Sequence, residues 1–220
     1  MRRRGFLTIS AAGLGGFLVY RLNREPERVA AQGGVIKVPL RFFSEDEALD
    51  ILAASARIFP TDGTGPGATE AGVVIYIDRQ LAGPYGRDRY RYTGEPFVEG
   101  PPELGYQGPA TPREIYRQGL KTIAGLRKLR PPDQDLRLKQ IETSPFFTLL
   151  RRHTIEGMFC DPMHGGNAGK IGWQLIGFPG PRMSYFDEVD QHHGKPLRFP
   201  PLSLAEIMGR PVRPGEDEPE

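Results

Sequence analysis

The chain has 220 residues, with 29 lysines and arginines against 27 aspartates and glutamates, a formal net charge of +2 and one cysteine. Six arginines and two glutamates fall within residues 1–31, so the rest of the chain carries about −2 overall, and without a basic stripe interleaved with aromatics to collect phosphates a nucleic-acid partner has no support. The lone Cys160 excludes an internal disulfide, and the chain beyond residue 31 is long enough for one domain with its own core.

Arg3-Arg4-Gly5-Phe6-Leu7 matches the twin-arginine export pattern of two arginines, any residue and two apolar residues, which makes Arg3, Arg4, Phe6 and Leu7 the expected signal residues. A weakly apolar run continues from Leu7 to Tyr20, diluted by Ser10, Gly13, Gly15 and Gly16, and is too short to span a bilayer. Such modest hydrophobicity suits the twin-arginine route, which exports folded proteins, better than the general secretory one. Val29-Ala30-Ala31 offers the small residues that a signal peptidase needs, so residues 1–31 are expected to be the signal and the mature chain to start near Gln32. The charged stretch Arg21–Arg28 is longer than usual there, and retention as an uncleaved tether is the alternative.

Residues 32–209 are expected to form one all-α, loop-rich helical domain. Ser44 with Glu47 makes a capping box, and Ala48, Ile51, Leu52, Ser55, Ala56 and Phe59 recur at helical spacing up to Pro60. After the turn-rich Thr61–Gly67, a second helix is predicted over Glu70–Leu81, with Val73, Val74, Ile77 and Leu81 on one face, ended by Gly83 and Pro84. Pro84–Pro109 is rich in Gly, Pro, Tyr and Arg without period, and is expected to wrap over a surface or a partner. Thr111, Pro112 and Glu114 open a helix predicted to reach Leu129, closed by Pro131-Pro132. A shorter helix is predicted over Asp133–Glu142, and Ser144-Pro145 starts the segment Phe146–Phe159. A brief last helix is predicted near Lys170–Ile176. Beyond Gly180 no period appears, and the charged tail from Arg210 to Glu220 is expected to be disordered.

The run from His153 to Gly180 reads as a helix that stops on a tight turn. Its loop, Asp161-Pro162-Met163-His164-Gly165-Gly166-Asn167, combines a proline without a donor, two glycines that accept positive φ and an asparagine that tolerates it. Asp161 or Asn167 bonding nearby backbone amides would make it a structural cap; presentation to a partner is the other reading. Trp173 and Phe178 are either core aromatics or the flanks of an interface pocket. Cys160 and His164, with Asp161 between them and His153 before them, offer soft and imidazole ligands, but Pro162 interrupts the helix and no CxxC or HxxxH completes a metal set. The His192-His193 pair lacks a third ligand. No GxGxxG follows a strand and no CxxCH is present, so flavin, nicotinamide and haem are not expected in this chain itself.

Glu156-Gly157-Met158-Phe159, Asp161–Asn167, Ile171-Gly172-Trp173 and Gly177-Phe178-Pro179-Gly180 strongly resemble the gluconate 2-dehydrogenase subunit 3 family, the small subunit of membrane-bound flavin-dependent sugar and polyol dehydrogenases. The resemblance reaches back through Arg57–Asp62, Glu70–Val73 and Tyr76-Ile77-Asp78. Cys160 stands where a small polar residue is expected, which hints at a packed site, and the Tyr85–Tyr106 stretch is variable in the family. The resemblance implies a large glucose-methanol-choline-type flavoprotein partner that holds FAD, a multihaem cytochrome c partner that holds haem c, and a complex on the periplasmic side of the inner membrane. It implies a non-catalytic role, in which this chain's signal, read by the twin-arginine translocase, carries the folded FAD subunit across the membrane. The alternative makes the chain part of the partner's active site or electron path, with His164 and Asn167 lining it.

Overall fold

The computed structural model describes residues 17–20, 36–91, 95–98, 100–182, 184, 186, 194 and 199–209. The expected signal residues Arg3, Arg4, Phe6 and Leu7, the Val29-Ala30-Ala31 site, the His192-His193 pair and the 210–220 tail lie outside the described residues.

Among the described residues the chain is helical, with one pair of short strands that the sequence did not announce. Strand β1 (Phe17–Tyr20) runs antiparallel to β2 (Ile36–Pro39), with Phe17 opposite Pro39 and Tyr20 opposite Ile36. Aromatic and β-branched residues favour this extended pairing. Helix α1 (Glu45–Ile58) starts at the expected capping box, in which Ser44 N donates to Glu47 Oε2 (2.8 Å) and Glu47 N to Ser44 Oγ (3.3 Å). Helix α2 (Val73–Ala82) begins later than predicted because Gly72 takes a left-handed φ of 70°, which turns residues 68–72 before the helix can start.

Helix α3 (Pro112–Thr122) opens on the predicted Thr111 cap but stops short of Leu129. Left-handed Gly125 (φ 79°) ends the helical path there, and Leu126–Lys128 form a separate 3-10 turn. Pro131-Pro132 opens helix α4 (Pro131–Gln140), because Arg130 is extended, as a residue before proline prefers, and the prolines fill the first-turn positions that lack a bonded N–H. Helix α5 (Pro145–Phe159) begins after its Ser144 cap, and α6 (Ile171–Ile176) is a short helix after the loop. Helix α7 (Leu204–Met208) lies where no period was visible, and a Ser203 and Glu206 capping box sets it. None of these helices is long and apolar enough to cross a membrane.

The core centres on α2, whose Val73, Val74, Ile77 and Leu81 are all buried between α1 and α5. Each such side chain contributes about 1.5–3 kcal/mol by leaving water. Three buried polar side chains tie neighbouring segments to this core. Asp78 of α2 accepts the amides of Arg41 (2.8 Å), Phe42 (3.0 Å) and Phe43 (2.9 Å), which fixes the entry into α1. Asp50 of α1 accepts the amides of Gly125 (2.7 Å) and Arg127 (3.0 Å), which seats the turn after α3. His153 of α5 stands between two tyrosine hydroxyls, with Tyr85 at Nε2 (2.8 Å) and Tyr116 at Nδ1 (2.9 Å). Tyr116 also stacks on the imidazole, with ring centroids 5.6 Å apart.

A neutral imidazole has one donor and one acceptor, so it satisfies both hydroxyls only when one tyrosine accepts from it and the other donates to it. Burial lowers the His153 pKa to about 4 and pushes Tyr85 up to about 12, so both stay neutral at pH 7. A histidine with a depressed folded pKa binds its proton more readily when unfolded. Stability is therefore full above the unfolded pKa of about 6.5 and falls as pH drops toward 4, by on the order of 3 kcal/mol. Urea unfolding between pH 7 and pH 4.5 is expected to show this loss, and His153→Gln to be less stable at pH 7 but flatter across the same window.

Candidate functional site

The end of α5 and the start of α6 are joined by a loop whose polar side chains point at backbone. Cys160 leaves α5 in extended geometry, and Asp161 then caps a 3-10 turn over Pro162–His164. Asp161 accepts from Met163 N through Oδ1 (3.0 Å) and from Leu204 N through Oδ2 (2.7 Å), so it holds both its own turn and the first residue of α7. Gly165 comes next at φ 96°, with the Arg79 side chain lying across it.

Asn167 is the centre of the junction. It is fully buried at φ 46°, a left-handed conformation that asparagine tolerates better than most residues. Its backbone N donates to Gly157 O (2.8 Å), its Nδ2 donates to Cys160 O (2.9 Å) and its Oδ1 accepts from Gly172 N (2.8 Å). One side chain thereby satisfies the last turn of α5 and the first turn of α6. The two backbones approach so closely that a Cβ at Gly166 would lie 2.3 Å from Gly157 O, and one at Gly172 would lie 1.9 Å from Met158 O. Trp173 completes the join: its indole donates to Phe159 O (2.7 Å), its ring is buried, and the half-exposed Phe178 meets it edge-on at 5.2 Å.

Segments far apart in the chain meet at this junction. Ala168 N donates to Ala71 O (3.0 Å), in the turn before α2, and Phe59 packs edge-on against Phe159 at 6.0 Å. Glu156 accepts from Tyr76 OH (3.0 Å) and from Arg152 Nε (2.8 Å). Cys160 packs partly buried against the core, and burial pushes its thiol up to about 11, so it stays protonated at neutral pH. His164 and Met163, at the tip, are exposed.

Two of the residues weighed as metal ligands are committed to separate tasks, while His164 stays exposed at the tip. His153 is engaged by two tyrosines and Asp161 by two amides, and among the described residues no group of three His, Cys, Asp or Glu stands together. Sequence reasoning missed the clasp from the far end of the chain. Lys170, itself left-handed at φ 60°, grips Glu206 through both carboxylate oxygens (2.7 and 2.8 Å), and that bond with the Ser203 cap holds the Glu206 carboxyl down near 2. The spacing of Ser203 and Glu206 was the available signal for this segment.

Residues 45–180 match the family described as gluconate 2-dehydrogenase subunit 3. The matched span starts with α1, ends just after α6 and leaves α7 outside. No curated protein and no solved structure matches the chain.

Asn167→Ala would strand the buried Gly172 amide and Cys160 carbonyl and force alanine into a left-handed conformation. The expected cost is about 2–4 kcal/mol, read as a lower denaturation midpoint. Asn167→Gly relieves the backbone strain alone and should recover only a minor part of it.

Proposed function

The chain belongs to the gluconate 2-dehydrogenase subunit 3 family, and from that membership we propose that it is the small, non-catalytic subunit of a periplasmic, membrane-associated, flavin-dependent sugar or polyol dehydrogenase. In this reading a large glucose-methanol-choline-type subunit holds FAD and oxidises the substrate. A multihaem cytochrome c subunit takes the electrons onward. The small chain stabilises the flavoprotein and, through Arg3, Arg4, Phe6 and Leu7, brings it folded to the twin-arginine translocase.

The observation that carries the reading is the chemistry of the α5–α6 junction. Asp161, Asn167 and Trp173, three polar groups of the run that carries the resemblance, are all hydrogen-bonded to backbone inside the chain. They build a rigid support, and a rigid support with an exposed tip suits binding to a larger neighbour. The aperiodic 84–109 segment adds exposed apolar side chains, among them Tyr90, Val98 and Leu104, that a partner would cover. Cleavage after Ala31 would leave β2 without β1, whereas a retained tether keeps the pair.

Co-expression tests the escort role: with Arg3→Lys and Arg4→Lys, the flavoprotein should remain in the cytoplasm. A flavoprotein that still reached the periplasm would refute it. His164 is the exposed imidazole of the loop, and its place at the tip favours the second reading, a direct part in the partner's active site or electron path. In the assembled complex His164→Ala is expected to leave turnover within about twofold of wild type. Loss of turnover with assembly and export intact would give the residue a role in the partner's chemistry.

A further inference from the structure

Charge is distributed unevenly along this chain. Residues 112–152 hold ten lysines and arginines against four aspartates and glutamates, a net of about +6 in a chain whose total is +2. This stretch runs from α3 through α4 into α5. The fold turns it into a connected belt: Arg117, Lys121, Arg127 and Lys128 line one groove of about 450 Å³ against α1. Arg137 Nε donates to Thr122 O (2.9 Å) and so seats α4 on the last turn of α3. Lys139 and Arg151 then line a second groove of about 450 Å³.

Most acids along the belt already have partners. Glu47 pairs with Arg117, Asp46 with Arg127, Asp135 with Arg57 and Asp133 with Arg130. Asp50 faces inward to the Gly125 and Arg127 amides, Glu114 is held in the Thr111 capping box, and Glu142 is the exposed acid of the belt that remains. Lys121, Lys128, Lys139 and Arg151 are exposed and form no ion pair among the described residues. Within this field α4 carries an exposed leucine, Leu136, 62% accessible, with exposed Pro131 and Pro132 a turn before it.

A fixed constellation of carboxylates on a protein is matched best by arginine forks in set geometry. Three of the four free cations here are lysines, flexible point charges that suit a fluid layer of phosphates, and an apolar side chain among them gains by entering the interfacial region. We infer that the α3–α4 face, with Arg151 of α5, docks on anionic phospholipid headgroups, Leu136 entering the interface. Such docking does not depend on which subunit the chain escorts.

Flotation of the full-length chain with vesicles tests it. Binding is expected to vesicles containing phosphatidylglycerol, and to weaken steeply between about 50 and about 300 mM salt. The combined Lys121→Glu, Lys128→Glu, Lys139→Glu and Arg151→Glu variant should lose at least about tenfold in vesicle affinity at unchanged helical circular dichroism. Residues 1–31 are the same in both proteins, so their arginines cannot produce the difference. Should the combined variant fail to fold, Lys128→Glu and Lys139→Glu alone are each expected to lose about fivefold. Leu136→Asp should weaken binding with the native lysines in place. Charge-reversed protein that binds like wild type overturns the inference. So does a reversal that abolishes capture of the flavoprotein while vesicle binding stays intact, which would make this face a protein interface.

Discussion

Buried backbone amides in irregular segments must find acceptors, and in this chain helices lend them side chains. Asp78 serves the turn before α1, Asp50 serves the turn after α3, and Asn167 serves both helix ends at the α5–α6 junction. An unmet buried amide costs about 1–3 kcal/mol, comparable to a large share of a small domain's net stability. A chain with this much loop holds one shape because these few polar residues sit inside its core. Their burial is tolerated only because each acceptor is fully used.

The same constraint shapes what the chain offers to others. At the junction Asp161, Asn167 and Trp173 face inward, so the tip presents mainly Met163 and His164 to the surroundings. The clasp of Lys170 on Glu206 and of Asp161 on Leu204 brings α7, which lies beyond the family-matched span, back onto the loop. A surface held this firmly needs little reordering on binding, which favours a stable subunit interface. The α3–α4 face is built on the opposite principle, with cations left unpaired and a leucine left exposed.

Helix starts were legible where a cap stands next to a helix long enough to show its spacing. Ser44, Thr111 and Ser144 each open a helix where the local pattern placed it. Helix limits set by backbone hand were less legible: Gly72 and Gly125 are left-handed, yet each sits in a pattern that periodicity alone would continue. Pro131-Pro132 marked a boundary correctly, but the pair starts α4 rather than only ending the path before it, since proline suits the first turn of a helix. The strand pair and α7 escaped a reading by period because four- and five-residue elements are too short to show one.

From its residues alone the chain's helical class, most of its caps and the family character of the 153–180 run could be read, because capping, glycine content and helical spacing are local properties. Tertiary structure decided that the 57–78 and 156–180 segments meet, that Asn167 is buried with its side-chain amide bonded to both Cys160 O and Gly172 N, and that His153 lies between Tyr85 and Tyr116. Those relations join residues from different elements, as with Tyr76 and Glu156, 80 positions apart. A hydrogen bond across such a distance leaves no periodic trace, since its partners are brought together only when the apolar faces of α1, α2 and α5 close over them.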